Sequence, residues 1–179
     1  KPFASCRATH SAIQAARTLA DQVRGRRIAK VHAKVHPNAL VTAGKTAPRT
    51  PLEGKFSVPF CIALGLAGYR AVSSDFNEKA FNDPAVAHIV PRVTLESVQD
   101  QPAWKAFVEV TFEDGERLKG ECQCVLGHPE NPVSWDALRE KFEGLVEPVL
   151  GREKCAALFQ LGREFLQPGS LAKLSELLA

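Results

Sequence analysis

The sequence predicts an α+β domain, built on an antiparallel sheet of about four strands, followed by helices that form a separate unit. Three observations carry this prediction: segments with alternating apolar and polar residues, one strong hairpin signal, and a final stretch with helical periodicity only. With 179 residues, 45% of them hydrophobic, the chain is long enough to enclose a core. We assign residues 1–126 to the α+β domain and residues 127–179 to the C-terminal helices.

A helix and a strand open the α+β domain. Residues 11–23 place apolar side chains at helical spacing and end before Gly25, so they predict one helix. Residues 27–36 alternate apolar with polar side chains, which predicts a half-buried strand. The Pro-, Gly- and Thr-rich residues 37–54 predict a long loop, and loops of that length are often functional.

The middle of the chain predicts two helices and three strands. Ser57 suits the N-cap of a helix with Pro59 in its first turn, and the apolar residues after it predict a buried helix. Asp83-Pro84 begins a second, short helix. Strands are expected at residues 93–98, 106–112 and 117–125, and the last two flank Asp114-Gly115, a hairpin turn signal.

The last third of the chain predicts helices alone. Ser134 is the expected N-cap of the first helix and Gly151 its end, and residues 153–166 and 170–178 predict two more. Few strands remain on which their apolar side chains could pack, so we expect another unit to pack on this region. The side chains concerned are Leu158, Phe159, Leu161 and Phe165.

Composition excludes several classes of protein. The net charge is only +3, and aromatic residues do not interleave with the basic ones, so we expect no nucleic-acid partner. No apolar run reaches 18 residues, so we expect no membrane segment. The expected location is the cytoplasm, with the mitochondrion as the alternative for a eukaryotic protein. The five cysteines form no disulfide framework and predict reduced thiols. Cys122 and Cys124 share one strand face but lack a second ligand pair, so we interpret both as structural and expect no metal.

The beginning of the chain predicts that more protein precedes it. The sequence contains no methionine and starts with Lys1, directly before a helical pattern. We therefore expect the chain to be the C-terminal part of a longer protein, and we expect activity to depend on residues outside it.

Two helix starts are candidate anion sites. The residues before the first helix include Lys1, Cys6, Arg7 and His10, and a helix N-terminus adds free N–H groups and partial positive charge. Together they suit a carboxylate, although spacing alone favours the simpler interpretation of a buried Cys6 and a capping Thr9. The helix start at Ser57 is the second candidate, and a plain N-cap is the alternative there.

Three stretches of the chain, in this order and spacing, resemble the MmgE/PrpD family. They are residues 1–10 (KPFASCRATH), residues 55–63 (KFSVPFCIA) and residues 127–134 (GHPENPVS), the last leading to residues 138–142 (LREKF). The family includes 2-methylcitrate dehydratase, cis-aconitate decarboxylase and iminodisuccinate epimerase. The resemblance covers nearly the whole chain.

The resemblance implies an architecture and a reaction. A large all-helical domain would be built from the N-terminal half and the extreme C-terminus, with a smaller α+β lid domain inserted between them. Residues 1–126 would be the lid, and the C-terminal helices in residues 127–179 would return to the all-helical domain. Members act on small di- and tricarboxylic acids without a cofactor, and most are homodimers. The expected function is therefore a hydro-lyase of the 2-methylcitrate dehydratase type. An isomerase or epimerase, a decarboxylase, a non-catalytic lid module and one subunit of a split enzyme are the alternatives.

The resemblance also implies roles for individual residues. Lys1 matches the substrate-facing lysine that opens the lid motif, and it is our candidate catalytic residue. Cys6 lies where decarboxylase-like members have a histidine, and His10 follows one helical turn later, so both are candidate pocket residues. Phe60 replaces an active-site tyrosine and cannot donate a hydrogen bond, which argues against decarboxylation. Arg7 and Ser57 complete the candidate substrate-binding set.

Overall fold

The computed structural model describes residues 1–178, and these fall into two compact units, Lys1–Pro132 and Val133–Ala179. The first unit contains a four-stranded sheet. Its strands are β1 (Ile28–Val35), β2 (Val93–Ser97), β3 (Ala106–Phe112) and β4 (Arg117–Cys122). Its helices are α1 (His10–Arg17), α2 (Ala20–Val23), α3 (Pro37–Ala43), α4 (Pro51–Gly54), α5 (Val58–Leu66), α6 (Glu78–Phe81) and α7 (Pro84–Ile89). The α+β class is confirmed.

The sheet is mixed, so the prediction of an antiparallel sheet was wrong for one pair of strands. Its order is β2-β1-β3-β4, in which β1 pairs antiparallel with β3 and β3 antiparallel with β4, whereas β1 and β2 are parallel. The chain between β1 and β2 contains α3 to α7. A helical crossover of that length returns the chain to the same end of the sheet, which is what a parallel pair requires.

Helices α1 and α5 build the core against the sheet. Helix α5 is buried at every one of its residues, as the apolar sequence predicts. Helix α1 packs on α5, β3 and β4. The approach to β4 is very close at Gly120, where an added Cβ would lie 2.3 Å from the carbonyl oxygen of Ala15. The backbone of α1 thus rests directly on the sheet at this glycine.

The predicted loop at residues 37–54 contains two helices, so that prediction was wrong. Each helix starts with a proline behind a capping side chain: His36 Nδ1 accepts from the Asn38 N–H, and Thr50 Oγ1 accepts from the Glu53 N–H. Proline in the first helical turn loses no hydrogen bond, since that N–H has no partner within the helix. The same composition that indicates a loop therefore also suits short capped helices.

The single helix predicted at residues 11–23 is two helices, α1 and α2. The Thr18 hydroxyl donates to the carbonyl oxygen of Ala15 at 2.7 Å, just where α1 ends. Such a local side-chain bond competes with the helical hydrogen bond of the same carbonyl. Leu19 and Val23 are nevertheless buried, so the apolar periodicity that predicted one helix continues through α1 and α2.

The second unit is helical. Helix α8 spans Trp135–Arg163 with Ser134 as its N-cap, and Gly151 interrupts it with φ 77° and ψ 165°, so the predicted cap and break are confirmed. Helix α9 follows at Ser170–Leu178. Phe159 is buried beside the rings of Trp135 and Phe142. Within residues 1–178, no helix combines the length and apolarity needed to cross a membrane.

Candidate functional site

The carbonyl oxygen of Ser5 is the centre of the first candidate site. Lys1 Nζ donates to it at 2.9 Å, and His10 Nε2 lies 3.4 Å from it. The Ser5 side chain is buried and its Oγ lies 2.7 Å from Thr9 Oγ1. One backbone oxygen thus brings together the first two candidate residues, Lys1 and His10.

The segment before α1 is fixed by backbone hydrogen bonds. The Ala4 N–H donates to the Ala71 carbonyl, and the Cys6 N–H donates to the Lys55 carbonyl, each at 2.9 Å. Thr9 Oγ1 donates to the Cys6 carbonyl at 2.8 Å. The Thr9 side chain therefore does not cap α1, and the interpretation of Thr9 as a capping residue was wrong. The two backbone bonds tie the loop to the chain on both sides of α5, at Lys55 before it and at Ala71 after it, so the candidate side chains project from an anchored loop.

His10 is a neutral, fully buried imidazole. Burial lowers its pKa to about 4, and the nearby positive charges of Arg7 and Lys1 act in the same direction, against the hydrogen bond to Ser5. A carbonyl oxygen can only accept, so Nε2 carries the hydrogen. Nδ1 then accepts from Arg7 Nη1 at 3.2 Å. The ring therefore connects the Ser5 carbonyl to the Arg7 guanidinium through one hydrogen bond at each of its nitrogens.

Arg7 is the group best placed to receive a carboxylate. Its side chain is exposed, and Nη1 also donates to the Leu126 carbonyl at 3.3 Å. Both of its hydrogen bonds to described residues use Nη1, and no acidic side chain among residues 1–178 pairs with it. Nε and Nη2 are therefore available for the two-point contact that arginine makes with carboxylates.

Cys6 lies beside this group. Its half-buried thiol is 4.0 Å from Thr42 Oγ1, on helix α3. Cys61, at the start of α5, is fully buried, and burial raises the pKa of its thiol to about 12. Cys61 is thus an inert core thiol, whereas Cys6 remains in reach of a ligand.

Ser57 and Phe60 occupy the core under this loop. Ser57 Oγ accepts from the Phe60 N–H at 3.2 Å, which is the N-cap bond of α5. The Phe60 ring is 1% exposed and packs against the rings of Phe76 and Phe81. The structure therefore joins Lys1, Arg7 and His10 in one group, with Cys6 adjacent, and places Ser57 and Phe60 among buried residues. The binding roles of all six residues stay predictions.

Several groups that build this site went unnoticed in the sequence. The carbonyl oxygens of Ser5 and Leu126 hold Lys1, His10 and Arg7, and backbone acceptors leave no signature in a sequence. Gln14 joins α1 to the loop after β4, since its Oε1 accepts from the Leu126 N–H at 2.8 Å. Only the spacing of Ser5 and Thr9, four residues apart, could have suggested that their hydroxyls meet.

The model of the MmgE/PrpD C-terminal domain matches residues 3–163 of this chain. No curated protein matches it at a significant level. The family match covers most of both units, including residues 3–9 of the loop before α1 and the break at Gly151, while Lys1 lies outside it. The chain therefore belongs to the MmgE/PrpD family, and residues 3–163 correspond to the family's C-terminal domain.

Proposed function

We propose that the chain supplies the carboxylate-binding part of a cofactor-independent hydro-lyase that acts on small di- or tricarboxylic acids. The observation that carries this proposal is the group of Lys1, His10 and Arg7 around the Ser5 carbonyl, with the exposed guanidinium of Arg7 available to a ligand. Membership of the MmgE/PrpD family supports it, because the resemblance implies loss of water next to a carboxylate.

The reaction makes defined demands on the site. A base removes the proton from a carbon beside a carboxylate, the freed electron pair forms a carbon–carbon double bond, and the hydroxyl on the neighbouring carbon leaves with a proton as water. Negative charge grows on the carboxylate in the transition state, so cationic donors already in place lower the barrier. We assign substrate-carboxylate binding to Arg7 and stabilisation of the developing charge to Lys1. The resemblance implies that the base lies on the N-terminal helical domain.

His10 serves this chemistry as a positioning residue. A neutral ring adds no charge that would compete for the substrate, and both of its nitrogens already have partners, Ser5 and Arg7. Holding the guanidinium in one orientation reduces the entropy lost when a carboxylate binds. Cys6, half-buried beside the group, is proposed to line the same pocket.

We also infer that the chain packs on a helical domain, forms a homodimer and lies in the cytoplasm. The large apolar side chains exposed on the second unit, such as Leu145 and Val149, support packing on the N-terminal helical domain of the same protein. A homodimer is proposed from the resemblance alone. Five free cysteines are compatible with the reducing cytoplasm.

Proton transfer without water loss is the alternative that the site supports next. An epimerase also removes a proton beside a carboxylate and needs the same cationic donors. Decarboxylation is less well supported, because Phe60 offers no hydroxyl and its ring lies in the core.

The test uses the longest native polypeptide that contains this chain, assayed with 2-methylcitrate and citrate. Water loss creates a conjugated double bond that is followed by ultraviolet absorbance. We expect Lys1→Ala to lower kcat and Arg7→Gln to raise KM, with Lys30→Ala and Arg49→Gln as matched controls on other surfaces. Unchanged turnover in both site variants would remove this group from the active site. Hydrogen–deuterium exchange at the substrate carbon without water loss would favour the epimerase.

A further inference from the structure

We propose that Cys124, His128 and Glu130 form a zinc-binding site in the loop that follows β4. One ligand atom from each of the three side chains lies within 4.8 Å of the other two. Thiolate, imidazole and carboxylate are the three side-chain groups that zinc takes in proteins. A set of three different ligand types converging in seven residues is more specific than a group of exposed acids.

The geometry needs only small side-chain movements to close around an ion. With zinc–ligand bonds of about 2.0–2.3 Å, tetrahedral ligand atoms lie roughly 3.3–3.8 Å apart. Glu130 is exposed, whereas Cys124 and His128 are half-buried, so the side chain with the most free space can approach the two others. Three protein ligands leave the fourth position of the ion open to water or a small anion.

The loop is held in shape by its own hydrogen bonds. Gly127 adopts a φ of 86° and its N–H donates to the Asn131 carbonyl at 2.8 Å, while the Asn131 N–H donates to the His128 carbonyl at 2.9 Å. The Asn131 side chain donates to the Cys124 carbonyl at 2.8 Å. These bonds bring residue 124 beside residues 128–130 before any ion binds, which reduces the ordering that binding requires.

His128 is prepared for coordination. Its Nδ1 accepts from the Glu130 N–H at 3.3 Å, so this nitrogen carries a lone pair in the neutral ring. An ion bound at Nδ1 would displace only the 3.3 Å hydrogen bond from the Glu130 N–H. The ring also packs on Trp104, with centroids 4.9 Å apart, so an indole lies close enough to report on the ion.

Cys122 is a neighbour of this site without belonging to it. It is buried, and its Sγ faces the Trp104 carbonyl oxygen at 3.7 Å. The sequence prediction of a structural role therefore still suits Cys122, whereas for Cys124 the proposal departs from it. The sequence signal that points to the site is the run of Cys124, His128 and Glu130 itself.

The zinc site is joined to the carboxylate group by two hydrogen-bonded residues. Gln14 Nε2 donates to the Cys124 carbonyl at 3.5 Å, and Arg7 donates to the Leu126 carbonyl. Bound zinc would stabilise the loop that holds Arg7, and no step of the proposed water loss passes through the ion.

Cobalt binding tests the site directly. The reduced 179-residue chain is stripped with a chelator and titrated with Co²⁺ alone, and with Zn²⁺ in competition. We expect one ion per chain, a thiolate-to-cobalt absorption band in the near ultraviolet and tetrahedral bands in the visible. Cys124→Ser should remove the thiolate band. His128→Ala or Glu130→Gln should weaken zinc binding by at least the roughly 10–100-fold that is typical when a residue hydrogen-bonded to a metal ligand is lost.

Matched variants and a second signal make the test decisive. Cys6→Ser, His32→Asn and Glu121→Gln change the same residue types elsewhere and should leave cobalt binding unchanged, with circular dichroism confirming the fold of every variant. In Trp135→Phe, Trp104 is the remaining tryptophan, and bound Co²⁺ should quench its fluorescence. A thiolate band that survives Cys124→Ser, or cobalt binding that leaves Trp104 unquenched, would overturn the proposal.

Discussion

The two units of the chain differ in how they bury apolar residues. In the first unit, α1, α5 and the sheet enclose a continuous core, with Ile13, Ile62 and Val110 fully buried. In the described part of the second unit, only Cys155, Phe159 and Ser170 are buried. Its exposed apolar side chains are Trp135, Leu138, Leu145, Val149, Phe165, Leu166, Leu171 and Leu178. The first unit thus has the core of an independent domain, whereas the second has many exposed apolar side chains and little core of its own.

Alanine substitutions should show the largest difference in unfolding free energy between the two units. Ile13→Ala removes a fully buried side chain and should lower the free energy of unfolding by about 2–5 kcal/mol. Leu145→Ala changes a side chain that is 47% exposed and should stay within about 0.5 kcal/mol. Urea unfolding of both variants measures the two values. Equal losses would show that the second unit has a core comparable to the first.

Mild acid should destabilise the first unit, because the buried imidazole of His10 lies within it. The pKa of His10 is lowered to about 4 in the folded state from an ordinary 6.5, so the unfolded chain binds more protons between these values. The free energy of unfolding therefore falls as the pH drops from 6.5 to 4, by about 3 kcal/mol in total at ~1.4 kcal/mol per pH unit.

Urea unfolding at several pH values measures this slope, and NMR titration of the His10 ring locates its pKa. His10→Gln keeps a donor for Ser5 but cannot titrate in this window, so the variant should lose most of the slope. A His10 ring that titrates near 6.5 would contradict both its burial and its role in orienting Arg7.

Two glycines offer a matched comparison of packing in the two units. Gly120→Ala places a methyl group 2.3 Å from the Ala15 carbonyl and should destabilise by about 1–3 kcal/mol, since α1 must move off the sheet. Gly144→Ala in α8 meets no atom within 4 Å and should stabilise by roughly 0.5–1 kcal/mol through helix propensity. Thermal melts of both variants, together with hydrogen exchange of α1 and α8, test the pair. Stabilisation by Gly120→Ala would refute the close contact.

Local signals predicted the fold well where they act within a few residues. The Ser57 and Ser134 caps, the Asp114-Gly115 turn and the break at Gly151 all form as expected. Each depends on a residue and its immediate backbone neighbours, which is information that a short sequence window contains. The parallel pairing of β1 and β2 was missed because it depends on where a long helical crossover returns.

The candidate site was predictable in its charges and unpredictable in its geometry. Lys1, Arg7 and His10 could be named from residue type and resemblance. The convergence of Lys1 and His10 on the Ser5 carbonyl, and the contact of Arg7 with the Leu126 carbonyl, depend on backbone atoms whose positions follow only from the packed fold. The neutral state of His10 likewise depends on the burial of its ring, which follows only from the packed fold.

Carboxylate binding by the first unit is the most direct test of the account. Citrate is titrated into the ¹⁵N-labelled chain and into Arg7→Gln, with Arg49→Gln as the control. We expect amide shifts concentrated in residues 1–10 and around Leu126, and an affinity about 10-fold lower in Arg7→Gln, since a charged hydrogen bond contributes ~1.5–3 kcal/mol. Equal affinities of Arg7→Gln and the unaltered chain, or shifts confined to other surfaces, would contradict the proposed carboxylate site.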